Sequence, residues 1–526
     1  MSIHLAARKG DLLGLVSELD AGAFVDARDD EERTPLMLAV TSDQATGETV
    51  RFLLKRGADV NATGGDYPQT VLAQAIGAGD PLRVELLIDT GADCTSTDEN
   101  GYDALINAMH GRDIARDDRL LSLVELLIQQ NAPLRGESDF GESALSVSSH
   151  QGRFDVVARL LEAGADESVL EWTPLSRAVA LGSVHEIAEL LSQGADLNER
   201  DGWERTPWLL AVCTGDVERS QLLLDAGANR SDTGRGGKTA LMYAAQYGHL
   251  AMLSWLLKAG FDPNGRDGFG GTALMEAAEG NDFECVRLLL EAGADANLKN
   301  QADGKPISKT SSPEVIRLLV DAGQDLGEVE EEVRASVLGF DWEEELVCSR
   351  QQYEDGRRRR FGASNPQRMD IPFWRAMLRC GWSAASARML FDGVEGRREE
   401  RDPVWCYRRF GKSITRLPDG RTLEIGGEHE DFYDPDFCIY NDVFVHEGKG
   451  GFEIFGYPEE VFPPTDFHSA SLVGSWIYII GCIWATTRNE SSVIRRSTGS
   501  TSKRLPSNGS KQRAPIRAGF VAIARF

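Results

Sequence analysis

The feature that most limits what this chain can fold into is a segment that keeps returning. Its anchor is a helix-capping residue, found at Thr34, Thr70, Asp103, Ser143, Thr173, Thr206, Thr239 and Thr272, with Lys305 in the ninth place. From Thr173 onward the step is 33 residues each time; the earlier steps of 36, 33, 40 and 30 mark insertions and one deletion. Each anchor is followed by two short apolar runs. Thr239 is placed to satisfy free N–H groups of a first helical turn, Leu241, Ala244 and Ala245 follow at helical spacing, and Gly248 ends that helix. A second run from Met252 to Leu257 is closed by Gly260. Two such helices, each apolar on one side, cannot bury those sides alone, so the units must stack on one another.

The period, the Thr-Pro-Leu openings at 34–36 and 173–175, and endings such as LLKRGADVN, LLEAGADES and LLSQGADLN resemble the ankyrin repeat. The resemblance covers residues 2–326, about ten units including caps. It implies a mostly α chain, an ankyrin-repeat solenoid that binds other proteins through its concave side, hairpin tips and first helices. The unit anchored at Asp103 carries the insertion HGRDIARDDR, and the last unit has a degraded first helix with Pro313 before the second. Three residues before their anchors, at the expected tips, stand Tyr67, Phe140, Trp203 and Phe269; Tyr102 and Trp172 stand one before. Exposed tip aromatics suit binding, and the alternative of folding back onto a neighbouring hairpin carries equal weight for each. Four residues after the anchors the chain reads Leu38, Gln74, Asn107, Val147, Arg177, Leu210, Tyr243 and Glu276, a variety expected of a surface that meets a partner. The candidate partner-binding set is the six aromatics with Arg177, Leu210, Tyr243 and Glu276.

Past Gly327 the period stops. Residues 327–405 read as a charged, helical linker in which Phe373, Trp374, Met377 and Leu378 have helical spacing behind Pro372, and the four arginines 357–360 read as an exposed stretch. From 406 to 485 strands and turns take over, with a hairpin around Pro418-Asp419-Gly420. Gly426-Gly427, YNDVFV, PPTDFHSASLV and IYIIG resemble a kelch repeat, which implies one incomplete β-propeller blade over about 421–482. Residues 486–526 hold nine Lys and Arg against one acid and read as disordered. Back-translated with one shared offset, that tail gives PVYRLDLEA and AHPGWIRRHRA, so a one-base slip is preferred to a basic arm.

Charge separates function classes. Residues 1–326 carry 53 acids against 28 Lys and Arg, whereas residues 327–526 carry 30 against 28. Nucleic acid is excluded as a ligand of so acidic an array. Solvated helix faces explain the acidity most plainly, and a basic partner is the sharper reading. Eight cysteines are scattered without a CxxC pair, the N-terminus lacks the pattern of a signal peptide, and the longest apolar run, 472–485, is shorter than the ~20 residues a membrane helix needs. A cytoplasmic protein is expected. GRGGKTA at 234–240 and RRFGKS at 408–413 miss the first glycine of a phosphate loop, which falls on Asp232 and Cys406. The acidic stretch GEHEDFYDPD at 427–436 reads as a solvated loop before a metal site, and His468 as packed. No catalytic residue, metal or cofactor is expected. The function expected is that of a protein–protein adaptor or scaffold. The rival is a targeting arm for an enzyme or metal-dependent module within 330–485.

Overall fold

The anchors cap helices as the sequence demands. Thr34, Thr70, Asp103, Ser143, Thr173, Thr206, Thr239 and Thr272 each accept the backbone N–H three residues on, an interaction worth about 1 kcal/mol apiece. Lys305 makes no such bond, and only the 3-10 turn Pro306–Lys309 follows it. The computed structural model describes residues 2–65, 69–111, 118–340, 342, 345–393, 403–429, 438–473, 476–483 and 516–525. In the unit of Thr239 the inner helix Ala240–Gln246 and outer helix Leu250–Lys258 bury Leu241, Ala244, Ala245, Met252, Leu253 and Leu256. Gly248 and Gly260 follow them at φ of 69° and 81°, a region that costs residues with a Cβ.

The chain divides into two compact units, residues 1–280 with 291–294, and residues 281–290 with 295–526. In the first, the inner helices Ile3–Lys9, Pro35–Thr41, Val71–Ala78, Ala104–Met109 and Ala144–His150 pack in succession. Pro174–Leu181, Pro207–Cys213, Ala240–Gln246 and Ala273–Glu279 form a second succession. The 30-residue step between them leaves no room for a hairpin. Its place is taken by the 3-10 turn Glu167–Leu170, which packs on Ala144–His150, while Pro174–Leu181 packs on the outer helix Phe154–Ala163. Within each succession, an arginine of the outer helix reaches the neighbouring unit. Arg83 donates to the carbonyls of Val40, Ser42 and Ala45 at 2.9, 3.0 and 2.7 Å, and Arg219 to those of Val179 and Gly182 at 2.6 and 2.9 Å. Both serve carbonyls at or just beyond the end of an inner helix, where intrahelical donors run out.

The second unit combines helices with sheets. The expected helix behind Ile371 spans Pro372–Cys380, with Phe373, Trp374, Met377 and Leu378 buried, and the Trp374 ring stacks on Trp405 at 4.5 Å. The arginines 357–360 are less free than an exposed stretch would be: Arg357 pairs with Asp392 at 3.1 Å, and Arg359 donates to the Ile439 carbonyl. Five antiparallel strands lie in the order Gln367–Arg368, Gly451–Gly456, Val443–Gly448, Thr422–Ile425, Ser413–Arg416, the last two forming the hairpin read at Pro418. Thr465–Val473 and Trp476–Ile483 start a separate sheet. Glu428–His429 and Cys438–Ile439 pair as a third, two-stranded sheet, so the described strands of the single blade expected over 421–482 are divided among three sheets. Gly426 and Gly427, at φ of 62° and 92°, turn the chain where Gly427 N–H donates to the Thr465 carbonyl.

Two further expectations meet this sheet. Ile477 and Ile479 are buried in Trp476–Ile483, and His468 is buried beside Ser413, its ring nitrogen 2.8 Å from the Ser413 hydroxyl. The tail expected to be unpaired is corrected at its end. Ile516–Arg525, rich in β-forming Ile, Val and Phe, pairs antiparallel with Trp476–Ile483; residues 484–515 lie outside the described residues. Beneath the five-stranded sheet, fully buried Glu424 accepts from Tyr407 and meets Lys412 and Arg334, each at 3.3 Å. Burial opposes its charge, but Lys412, His446 and Arg334 prevail and hold its carboxyl well below the usual range.

Candidate protein-binding surface

The candidate residues separate into three groups. Phe140 and Phe269 stand in the open at 68% and 66% exposure, as tip residues should, and Tyr67 lies outside the described residues. Arg177 is half-exposed and pairs with Glu167 at 2.9 Å. Trp172 is half-buried against Phe154, ring centroids 6.4 Å apart. Leu210 and Tyr243 are corrections: both are core, Leu210 fully enclosed and Tyr243 with 3% of its surface exposed. Position 210 lies on helix Pro207–Cys213, which packs between Pro174–Leu181 and Ala240–Gln246. The Tyr243 hydroxyl fills the space a Cβ on Gly234 would take, at 2.1 Å, so that glycine makes room for the ring. Glu276 is mostly covered and pairs with Lys238 at 3.0 Å; its pKa is raised, with burial outweighing the lysine. Variety at this repeat position therefore reflects different packing as much as different contacts with a partner.

Trp203 takes the folded-back course, and further than the neighbouring hairpin. Its indole N–H donates to the Ser146 carbonyl at 3.1 Å across 57 residues, and its ring stacks on His150 at 4.1 Å. Arg205, fully buried with Asp201 at 2.7 Å, donates to the Ser149 carbonyl at 2.9 Å and hydroxyl at 2.8 Å. The Tyr247 hydroxyl donates to the His150 carbonyl, 97 residues away. The end of helix Ala144–His150 is thus clasped by the two units anchored at Thr206 and Thr239. Burial, followed by the charges of Arg205, Lys238 and Arg235, pushes the His150 pKa down to about 4. The surface expected at Trp203 and Tyr243 is occupied by the chain itself.

An open site remains around Tyr102. The Tyr102 hydroxyl donates to Glu142 at 2.9 Å, and the same carboxylate lies 3.3 Å from His110 Nε2. His110 stands edge-on to the Tyr102 ring at 5.5 Å, and exposed Phe140 lies 6.2 Å from it. Burial and then the Glu142 hydrogen bond raise the Tyr102 pKa, so the phenol keeps its proton. Two adjoining cavities of about 240 and about 340 Å³ share Asp98, Glu99, Tyr102 and Asn107 in their linings. The first runs over Leu72, Ile76 and Ala104; the second reaches Gln69 and His110. Tyr102 and Phe140 are legible in the sequence by their offsets from the anchors, whereas His110 and Glu99 carry no such mark. Glu142 had a signal: it stands one residue before its anchor, as Tyr102 does in the adjacent unit, and the two meet.

Among the described residues, no group of His, Cys, Asp and Glu could hold a metal ion, and most of the acidic stretch at 427–436 lies outside them. No helix among them is long and apolar enough to cross a membrane. The ankyrin-repeat family profile, three repeats long, matches residues 3–98, 113–201, 175–267 and 208–300. A palmitoyltransferase of Lachancea kluyveri is 27% identical over 204 residues, covering 38% of this chain and 27% of that protein. An ankyrin repeat and KH domain-containing protein of Caenorhabditis elegans is 33% identical over 205 residues, covering 34% and 8%. A palmitoyltransferase of Eremothecium gossypii is 33% identical over 169 residues, covering 32% and 22%. The chain spans 27% or less of the length of these relatives.

Proposed function

The chain belongs to the ankyrin-repeat family, and from that premise we propose that it is a protein–protein interaction adaptor whose partner docks on the Tyr102–Phe140 surface. The observation that carries this reading is an exposed aromatic beside a fixed one: Phe140 is free to be covered, while Tyr102 is held by Glu142 at the mouth of an open groove. Pre-set aromatic anchors of this kind concentrate binding energy, up to about 2 kcal/mol or more each. Arg177 and Phe269 offer further exposed contacts, without a cavity of their own among those described. The adaptor is proposed to be non-catalytic and cytoplasmic, in keeping with free cysteines such as Cys94, Cys213 and Cys285 buried as thiols. The kelch-like strands are proposed as an accessory interaction element.

The test is capture of partners from the source lysate by the full chain, compared with Tyr102→Ala and Phe140→Ala. Loss of a specific captured protein with both variants, while each melts as the parent does, is the expected result. Unchanged capture by the double variant would remove this surface from consideration. A second reading, an arm that targets a catalytic module, is motivated by the names of two relatives, and would be favoured if the captured species carried acyl-transfer activity.

A further inference from the structure

We propose that the groove beside Tyr102 receives a Lys or Arg side chain from an extended segment of the partner, its cation set between the Tyr102 ring and Glu99. This deepens the adaptor reading and rests on it. The two cavities meet along Asp98, Glu99, Tyr102 and Asn107, and among the described residues no Lys or Arg lines either of them. Asp93 and Asp98 are fixed by local turns. Asp93 accepts the Thr95 N–H at 2.8 Å and hydroxyl at 2.7 Å, and Asp98 accepts the N–H groups of Asn100 and Tyr102 at 2.9 Å each. Those bonds hold the carboxylates in place without neutralising them. Glu99, exposed at the rim of both cavities, has no hydrogen bond or ion pair among the described residues.

The occupant's chemistry follows from what this lining rejects. An acidic side chain would meet three carboxylates and no fixed cation. An apolar side chain suits Leu72, Ile76 and Ala104 but would strip water from Glu99 and Asp98 with nothing in return. A Lys or Arg lays its methylene stem on that apolar floor and its charge at the acidic rim. The Tyr102 hydroxyl is already committed to Glu142, so the ring is held in one orientation, and the negative potential of its π-face attracts a cation. The approach is favoured further by the acidity of residues 1–326, which raises the local concentration of a basic segment.

The probe is a fluorescein-labelled peptide alternating Arg and Gly, against the same peptide with neutral citrulline for Arg. Binding to the full chain is read by anisotropy at physiological salt. The Arg peptide should bind at least about 5-fold tighter than its citrulline counterpart, and Glu99→Gln or Tyr102→Ala should each weaken it about 3- to 10-fold. Glu199→Gln, which removes an equal charge from a distant exposed position, should change affinity less than about 2-fold. Equal weakening by Glu99→Gln and Glu199→Gln would overturn the proposal, because attraction would then be spread over the array. Equal binding of the two peptides would overturn it as well. In either event, loss of partner capture by Tyr102→Ala would leave the adaptor reading standing with a different occupant, whereas unchanged capture by the variant carrying both Tyr102→Ala and Phe140→Ala would remove both. Should Tyr102→Ala disturb folding, the Glu99 and Glu199 pair still decides.

Discussion

At the scale of single residues, exposure divides positions that the repeat makes equivalent. Phe140 and Phe269 occupy one tip position and stay open, while Trp203 at that same position is drawn inward by the Ser146 carbonyl and the His150 ring. Leu210 sits where Arg177 stands 33 residues earlier, yet one is enclosed and the other half-exposed. Phe140→Ala and Phe269→Ala are therefore expected to change unfolding free energy by less than about 0.5 kcal/mol, and Leu210→Ala to lower it by about 2–5 kcal/mol. Urea denaturation of the three variants measures this. A loss above about 1 kcal/mol for Phe269→Ala would mean that its contact with Gly236 is structural packing.

At the scale of elements, the clasp on helix Ala144–His150 is the least repeat-like part of the array. It gathers a stacked imidazole, a buried guanidinium and a tyrosine hydroxyl on the last turn of one helix, and His150 sits among Arg205, Lys238 and Arg235 with Glu142 the opposing charge. Its pKa of about 4 when folded, against 6.5 when free, fixes the sign of the pH effect. The unfolded chain takes up this proton first, so the stability is fully present above about pH 6.5 and declines as pH falls towards 4. The limit of that loss is on the order of 3 kcal/mol. His150→Phe keeps an aromatic ring against Trp203 and cannot titrate. Its unfolding free energy should fall less between pH 7 and pH 5 than that of the parent; equal slopes would show that His150 is not the titrating group.

At the scale of the molecule, contacts in a stacked array run between neighbours, so trimming one end ought to leave the other intact. The clasp makes a specific exception. Removing residues 2–65 is expected to leave hydrogen-exchange protection around Arg205 and Tyr247 unchanged. Removing residues 2–172 takes away Ser149 and His150, and protection there should fall, because Arg205 keeps only Asp201 and the Tyr247 hydroxyl loses its acceptor. Equal protection in both truncated chains would show that the clasp adds nothing to the stacking of neighbours.

The sequence by itself determined the repeat. Capping residues at a fixed period, glycines behind apolar runs and a degraded last unit are local features, written in the residues that carry them. The expected helix at Pro372 and the hairpin at Pro418 were legible for the same reason. What the 30-residue step would do was visible only as a deletion. Tertiary structure decided that helix Ala144–His150 would be clasped from units that come later in the chain, because side chains 57 and 97 residues apart leave no periodic trace. It also decided which members of one repeat position face solvent, since burial depends on the neighbours stacked on each side. Likewise it divided the described C-terminal strands among three sheets: strand character is local, whereas the partner of a strand is chosen by which edges the rest of the fold leaves open.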